Sequence, residues 1–326
     1  MDYFVNGSAN KYTVQNSYAP DAVFNASGLF VYTPLIVQLI EIVRKKYDYL
    51  LPIVSIYGSP KVLWNGGRLI LKDFCYNNLS SYEKEFVLLS QYKIVPSITF
   101  TNHLIQKKDL ADKECNKILE LLEEHKGNVI LSSDILREYI SEKYSNIKIY
   151  ASVIKTTIED GKGNFHYYKL LEKNFDTYVI HPDDNFNHKL FEGLDLNKVE
   201  ILLNERCFYG CLNRKQHYET IAREQICQTE NIKYDGRFLD QCSAIPETKQ
   251  SSSQKRNLML TLNEVRELYS LGVRRFKLQG RADNIYLYFY DLIRYLLDDQ
   301  MAAPTVYAIM CGHIESYITR GKYERY

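Results

Sequence analysis

The sequence predicts an α/β protein built as a TIM-type (β/α) barrel, either complete or with an incomplete or distorted ring of strands. Strand and helix patterns alternate at least six times along the chain. Their spacing matches βαβ units, which place consecutive strands parallel and join them by right-handed crossovers. The 326 residues exceed the roughly 250 that such a barrel needs. We therefore expect one barrel whose functional groups, including a cysteine cluster, lie at its C-terminal face.

The individual elements follow from apolar periodicity and from the residues that end each run. We predict strands over residues 51–58, 95–100, 128–131, 148–153, 177–180, 199–203 and 275–278. We predict helices over residues 35–47, 80–92, 109–125, 133–144, 165–173, 185–194, 261–271 and 285–297. Thr261 and Glu264 form a capping-box signature at the start of one helix. No Gly-x-Gly-x-x-Gly follows the early strands, which disfavours an open dinucleotide-binding sheet.

We interpret the whole chain, residues 1–326, as a single barrel domain. Residues 1–34 form an N-terminal extension or contain the first strand, and residues 207–260 form an irregular loop segment that carries cysteines. The polar stretch 247–255 lacks apolar periodicity and is typical of a surface loop, because a strand and a helix that complete the same barrel are predicted after it.

The charge balance and the apolar runs exclude two classes of partner. The chain has 41 basic and 40 acidic residues without a basic block, so we expect no general nucleic-acid binding. No stretch approaches the ~18 apolar residues that cross a bilayer, and the N-terminus lacks the pattern of an export signal. We predict no membrane span and a cytoplasmic location, where clustered cysteines favour ligation or catalysis over disulfides.

Four of the seven cysteines, Cys207, Cys211, Cys227 and Cys242, fall within 36 residues. A zinc ribbon requires two close pairs, and the last two of these cysteines do not form one. A radical-SAM motif requires a third close cysteine at the position where this chain has Arg214. Four loop cysteines can still converge on a four-iron four-sulfur (4Fe-4S) cluster without fixed spacing. That cluster is the cofactor we predict, with zinc as the alternative.

Polar side chains follow the predicted strands and, in a barrel, surround one shared mouth. The predicted substrate-binding residues are Arg68, Asn102, His181, Asn204 and Arg281. Arg68 follows Gly66 and Gly67, so backbone N–H groups and a guanidinium could together approach an anionic ligand there. Arg281, at another strand end, would complete a clamp of two arginines. A plain turn at the two glycines is the alternative.

The candidate catalytic residues are Glu205, His217 and Lys155. Glu205 precedes the first clustered cysteine by two residues and could act as an acid or base, or form a salt bridge to Arg206 or Arg214. His217 could be a ligand, donate to a cluster sulfide, or only bind a backbone carbonyl. Lys155 could form a Schiff base or bind an anion. Proteolysis has no support, because no nucleophile elbow, Ser-His-Asp spacing, His-Glu-x-x-His or P-loop occurs.

The order of several segments along the chain is typical of a known family. These segments are the stretch 175–182, the apolar strand that ends in Asn204-Glu205-Arg206-Cys207, the spaced cysteines, and the stretch 262–281. In the last of them, Lys277, Gly280 and Arg281 match a Lys-x-x-Gly-Arg pattern. Over roughly residues 90 to 300 the chain resembles the U-32, or collagenase-like, peptidase family.

The resemblance implies a TIM-type barrel that in many members holds a four-iron four-sulfur cluster on four cysteines. By position, the ligands here would be Cys207, Cys211, Cys227 and Cys242. Members of the family support oxygen-independent hydroxylation of ubiquinone precursors or RNA bases, some with prephenate as the oxygen donor, and some require a second subunit. The first two cysteines are closer together here than is usual in that family, which indicates a divergent branch.

Two functions follow from this reading. The first is an iron-sulfur enzyme that carries out oxygen-independent hydroxylation, or a related redox modification, of an anionic small molecule or nucleotide. The second is a non-redox barrel in which the four cysteines hold a structural zinc and the mouth binds a ligand or partner protein. Either protein could be a homo- or hetero-oligomer.

Overall fold

The computed structural model describes residues 16–67, 79–230, 232–233, 256–280, 284–297 and 301–323. Its strands are β1 (Val23–Ser27), β2 (Ile53–Gly58), β3 (Val95–Phe100), β4 (Asn128–Leu131), β5 (Lys148–Ala151), β6 (Thr177–Val179), β7 (Val199–Leu202), β8 (Asn204–Phe208), β9 (Asn257–Met259) and β10 (Arg275–Leu278). Eight of them form a closed barrel in the order β1-β10-β7-β6-β5-β4-β3-β2. All neighbouring pairs in this ring are parallel, which confirms the predicted TIM-type barrel.

The helices surround the barrel. They are α1 (Thr33–Tyr47), α2 (Leu79–Gln91), α3 (Lys113–Glu124), α4 (Asp134–Lys143), α5 (Val153–Ile158), α6 (Phe165–Asn174), α7 (Arg214–Thr229), α8 (Leu262–Leu271), α9 (Ile285–Leu296) and α10 (Ala302–Tyr323). Short 3₁₀ helices cover Lys107–Ala111, Pro182–Phe186 and His188–Phe191. The last helix, α10, packs on α9 and α1.

The hydrophobic core lies between the outer side of the barrel and the helices. Outward strand residues such as Phe24, Ile98 and Phe276 are fully buried in one cluster with the apolar faces of the helices. Helix α3 shows how the sequence determines this arrangement, because its spacing places Leu119 and Leu122 on the buried face. The Asp112 side chain accepts the N–H of Cys115 at 2.8 Å and so begins that helix.

The inner side of the barrel is polar where a TIM barrel usually holds bulky branched side chains. Buried polar residues alternate with the outward apolar ones: Asn25, Ser55, Ser97, Asn128, Thr177, Glu200 and Lys277. Several of them bind one another across strands, as when Asn128 donates to Ser97 at 3.0 Å. The interior is therefore a hydrogen-bonded layer, which continues into the polar mouth.

Several elements differ from the sequence prediction. Residues 1–34 contain the first strand, which was one of the two alternatives, but its bounds were not predicted, because Val23–Ser27 is short and has two polar residues among its five. The predicted helix over 185–194 is instead two 3₁₀ helices around Asn187. The long helix α10 was also missed. Strand β5 ends at Ala151, and the short helix α5 follows it where the prediction continued the strand.

The segment 207–260 is not simply an irregular loop. Strand β8 follows β7 after one residue and pairs antiparallel with β9 outside the barrel. Helix α7 then occupies residues 214–229. Its charged and polar residues occur on most of its sides, so it lacks the apolar stripe on which a sequence prediction of a helix depends.

Within the part of the chain that the structure describes, no helix combines the length and apolar character needed to cross a membrane.

Candidate functional site at the carboxyl mouth of the barrel

A buried ion cluster lies beyond the ends of β6 and β8. Its residues are His181, directly after β6, Asp183 in the following 3₁₀ helix, and Arg214 at the start of α7. Arg214 Nη1 lies 3.5 Å from Asp183 Oδ1 and 3.3 Å from His181 Nε2. Lys162 Nζ and the N–H of Gly210 both donate to Asp183 Oδ2, at 2.5 and 2.9 Å. We call His181, Asp183 and Arg214 the mouth cluster.

Burial controls the charge states in the mouth cluster. Burial, and then the positive charge of Arg214, lowers the pKa of His181 from 6.5 to about 4, so the imidazole is neutral near pH 7. Its Nδ1 accepts the backbone N–H of Asp183 at 3.2 Å, which directs Nε2 towards Arg214. Burial alone would raise the pKa of Asp183, but Lys162, Arg214 and His181 together lower it below its ordinary value. Asp183 is therefore a carboxylate.

Two of the clustered cysteines meet beside Arg214. The Cys207 and Cys211 side chains are hydrogen-bonded to each other, and this contact, with burial, raises the pKa of the Cys207 thiol. Arg214 also contacts Cys207 and acts in the opposite direction on that pKa. The Arg214 Nη2 donates to the Phe208 carbonyl at 3.1 Å, which attaches the start of α7 to the strand that carries Cys207.

The structure does not bring Cys227 to this pair. Cys227 lies in the last turn of α7, thirteen residues after Arg214, which corresponds to about 20 Å along the helix axis. Metal–sulfur bonds of about 2.3 Å cannot span such a separation. Cys242 lies outside the described residues. Among those described, no three His, Cys, Asp or Glu side chains are grouped to hold a metal ion. The arrangement therefore fits two thiol ligands, and a cluster that includes Cys227 does not fit.

Asn204 and Glu205 lie on β8 at the edge of the mouth. Asn204 and Gln279 bind each other through three hydrogen bonds, two of them through main-chain carbonyls, so the Asn204 amide joins the ends of β7 and β10. Glu205 is buried, and its Oε1 accepts the N–H of Cys207 at 3.0 Å. Arg206 pairs with Asp291 of α9 at 2.8 Å instead of with Glu205.

Asn102 holds main-chain segments in place. Its Nδ2 donates to the carbonyls of Leu63 and Ala222, at 3.2 and 3.4 Å, and its Oδ1 accepts the N–H of Leu104 at 3.0 Å. The contact with Ala222 attaches the middle of α7 to the loop after β3. These contacts occupy the donor and acceptor groups that we expected to bind substrate.

The other predicted residues lie in different surroundings. Lys155 Nζ contacts Asp134 at 2.9 Å and Glu159 at 2.6 Å, with 3% of its side chain exposed. Contacts with two carboxylates are typical of a structural ion pair, in which the amine is not free to attack a carbonyl carbon. His217 is partly exposed in the first turn of α7, where its main-chain N–H donates to the Asn213 carbonyl. Arg68 and Arg281 lie outside the described residues.

Buried polar atoms without a protein partner are concentrated around the mouth. They include Ser27 Oγ at the end of β1, Thr101 Oγ1 after β3, Ser132 Oγ after β4, the Asn185 amide after β6, and Arg214 Nε. Each such atom lowers the stability of the fold by about 1–3 kcal/mol if it forms no hydrogen bond. Their common location at the carboxyl ends of the strands is the location of ligand sites in this barrel architecture.

The sequence prediction did not include Arg214 or Glu200 among the candidate site residues, and it used Lys277 only as part of the Lys-x-x-Gly-Arg pattern. Arg214 was interpreted as the residue that interrupts a cysteine motif and as an alternative salt-bridge partner of Glu205. Glu200 and Lys277 each occupy an inward position of a barrel strand, between outward apolar neighbours. A charged residue at such an inward position was the signal that could have identified them.

No protein-family model matches the chain, and no curated protein matches it. Among solved structures, the chain is similar to the U32 peptidase Mk0906, with a TM-score of 0.49 and 10% identity over 80% of this chain and 94% of that chain. It is also similar to an HpcH/HpaI aldolase from Desulfitobacterium hafniense, with a TM-score of 0.34 and 10% identity over 84% of this chain and 92% of that chain. Both likenesses are remote and assign no activity to this chain.

Proposed function

We propose that this protein is an α/β-barrel enzyme that binds an anionic small molecule or nucleotide at its carboxyl mouth and modifies it in an oxygen-independent redox step. The observation that carries the proposal is the group of buried, unpartnered polar atoms at the strand ends, among them Arg214 Nε. A ligand with acceptor oxygens would form hydrogen bonds with the donors among these atoms and so offset the free energy lost by burying them without a partner. A carboxylate or phosphate matches a guanidinium best, because hydrogen bonds between charged groups are the stronger ones.

The chain's own residues have distinct roles in this proposal. Arg214 binds the anionic group through Nε, while its Nη atoms remain on Asp183, His181 and the Phe208 carbonyl. His181 is a positioning residue, because its Nδ1 accepts the N–H of Asp183 and its Nε2 faces Arg214, so neither ring nitrogen is open to take a proton from a bound molecule. Asp183 is a positioning residue that holds both of them.

The thiol pair is the proposed metal-binding part of the site. Cys207 and Cys211 would supply two sulfur ligands to an iron-sulfur centre, whose chemistry is electron transfer to or from the bound molecule. Cys227 is left out of this proposal, because it lies in the last turn of α7, about 20 Å along the helix axis from Arg214. The alternative is a structural zinc on the same pair in a ligand-binding barrel without redox chemistry, since thiolates are also zinc ligands.

Anaerobic purification with iron, sulfide and zinc analysis tests the metal assignment. We expect Cys207→Ala and Cys211→Ala to lose the bound metal, and Cys227→Ala to retain it. Cys115→Ala is a control, because Cys115 is buried in α3 away from the pair. Broad absorbance near 400 nm would indicate iron and sulfide, whereas a colourless zinc-loaded protein would favour the alternative. Loss of metal from Cys227→Ala would contradict the assignment of the pair.

Calorimetric titration with phosphate, AMP, pyruvate and prephenate tests the binding site. Arg214→Lys keeps the positive charge but removes the Nε donor. Loss of a charged hydrogen bond of about 1.5–3 kcal/mol should weaken binding of the accepted anion about 10- to 150-fold. Lys215→Met is the matched control, because Lys215 is the next residue but pairs with the exposed Asp160. Equal affinities for the wild type and Arg214→Lys would refute the assigned role of Arg214.

A further inference from the structure

A second group of charged residues lies inside the barrel, below the mouth. Lys277 of β10 has 10% of its side chain exposed, and its Nζ lies 3.6 Å from Glu200 Oε2 of β7. The same Nζ lies 4.1 Å from the centre of the Tyr57 ring. Arg275 occupies the next inward position on the same strand, two residues before Lys277, which is about 7 Å along β10.

The Glu200 carboxylate is held in place by neutral groups. Asn25 donates to Glu200 Oε1, and Ser55 Oγ donates to Asn25 Oδ1 at 2.5 Å. Glu200 is therefore fixed beside Lys277, but 3.6 Å is longer than an ordinary hydrogen bond. The Lys277 amine thus has a nearby proton acceptor without the close double pairing that holds Lys155.

The environment of Lys277 favours its neutral form. Burial lowers the pKa of Lys277, and the negative charge of Glu200 only partly opposes this effect. A neutral amine is the form that attacks carbonyl carbon, and desolvated lysines of this kind form Schiff bases in enzymes.

The Arg275 guanidinium provides a group that can bind the carboxylate of a ligand near the Lys277 amine. Its Nη2 lies 3.4 Å from the hydroxyl of Tyr150, which places the guanidinium inside the barrel. Its Nε is buried without a protein partner. Arginine binds carboxylates through adjacent N–H groups, so this atom is suited to a small carboxylate ligand.

We propose that Lys277 forms an imine with a small 2-oxo carboxylic acid whose carboxylate binds Arg275. The amine lone pair forms a C–N bond to the carbonyl carbon, and the C=O bond is replaced by C=N as the oxygen leaves as water. One N–H proton of the attacking amine moves to the carbonyl oxygen, and the second moves by way of Glu200 to the departing hydroxyl, so both hydrogens of the water come from the Lys277 amine and no oxidant or reductant is required. This site goes beyond the proposed function at the mouth, because neither Arg214 nor the thiol pair takes part in it.

Trapping with sodium borohydride tests the proposal on the wild-type protein. The protein is incubated at pH 7 with pyruvate, glyoxylate, 2-oxobutyrate or 2-oxoglutarate, reduced, digested, and analysed by peptide mass spectrometry. We expect one reduced adduct per chain, located on Lys277, with at least one of these acids. Lactate, which has no carbonyl group, should give none.

Variants separate this site from a purely structural ion pair. Lys277→Arg keeps the charge beside Glu200 and should lose the adduct completely, whereas Lys155→Arg should retain it. Arg275→Lys should lower the adduct yield at a subsaturating 2-oxo acid concentration about tenfold or more, which corresponds to one charged hydrogen bond. Lys215→Met, which removes an exposed ion pair with Asp160, should leave the yield unchanged. Absence of a Lys277 adduct with all four acids, or equal labelling of surface lysines, would overturn the proposal.

Discussion

Replacement of His181 by Asn should make the protein less sensitive to acid. The folded protein holds the pKa of His181 at about 4, against an ordinary value of 6.5. Between these values the unfolded chain binds a proton that the folded chain does not, so acid favours unfolding. The contribution of the neutral His181 to the free energy of unfolding is therefore fully present above pH 6.5 and is lost as the pH falls towards 4. At ~1.4 kcal/mol per pH unit, the loss at pH 4 is about 3 kcal/mol.

Urea denaturation at pH 7, 6, 5 and 4 measures this loss. His181→Asn removes the titrating ring but keeps an acceptor near the position of Nδ1, which binds the N–H of Asp183. Groups that titrate alike in the wild type and the variant cancel in the comparison. We expect the free energy of unfolding to decrease by about 3 kcal/mol less in His181→Asn than in the wild type between pH 7 and pH 4. The same pH dependence in both proteins would refute the buried, neutral imidazole.

Four further substitutions test the packing of the fold around the site, with urea denaturation as the measurement. Gly66→Ala should destabilise the protein by about 1–3 kcal/mol or more, because a Cβ there would lie 2.3 Å from the Thr101 carbonyl oxygen. Gly67→Ala should destabilise it less, because the atom nearest to its Cβ would be a side-chain oxygen at 3.0 Å. Equal losses of stability in the two variants would contradict this packing. Thr261→Ala removes the capping box of α8 and should cost about 1 kcal/mol. Leu119→Ala, in the fully buried face of α3, should cost about 2–5 kcal/mol, and a change below 1 kcal/mol would contradict the assigned packing.

The barrel was predictable because its outer layer follows simple rules. In β3, β4 and β7, outward apolar residues and the turns that follow them indicate strands, and the repeated spacing of strands and helices requires parallel pairing. The capping box at Thr261 and the left-handed Gly272 give both ends of α8. These signals are local, so one sequence is sufficient to detect them.

The site was less predictable because it depends on contacts between distant segments. Four cysteines within 36 residues suggested one cluster, but helix α7 separates Cys227 from Cys207 and Cys211. The spacing of cysteines along a chain does not determine their separation when a helix lies between them. Arg214 has its role because it contacts residues beyond the ends of two strands, β6 and β8, and no local pattern indicates such contacts.

The polar interior shows a second limit of sequence reasoning. Glu200 and Lys277 lie in strands that the sequence identifies correctly from their apolar residues. Because side chains alternate between the two faces of a strand, the sequence predicts that each of these side chains shares a face with those of residues two positions away. It does not state that the faces of β7 and β10 meet inside a closed ring, which is the arrangement that pairs them at 3.6 Å.

A crystal structure of the anaerobically purified protein, grown with the anion that binds best in calorimetry, tests the central claim most directly. The claim is that the mouth cluster is a ligand site and not a closed ion network. We predict electron density for the anion within about 3 Å of Arg214 Nε, beside Cys207 and Cys211. An Arg214 whose Nε is bound to a protein atom, in a mouth filled by the chain's own side chains, would contradict it.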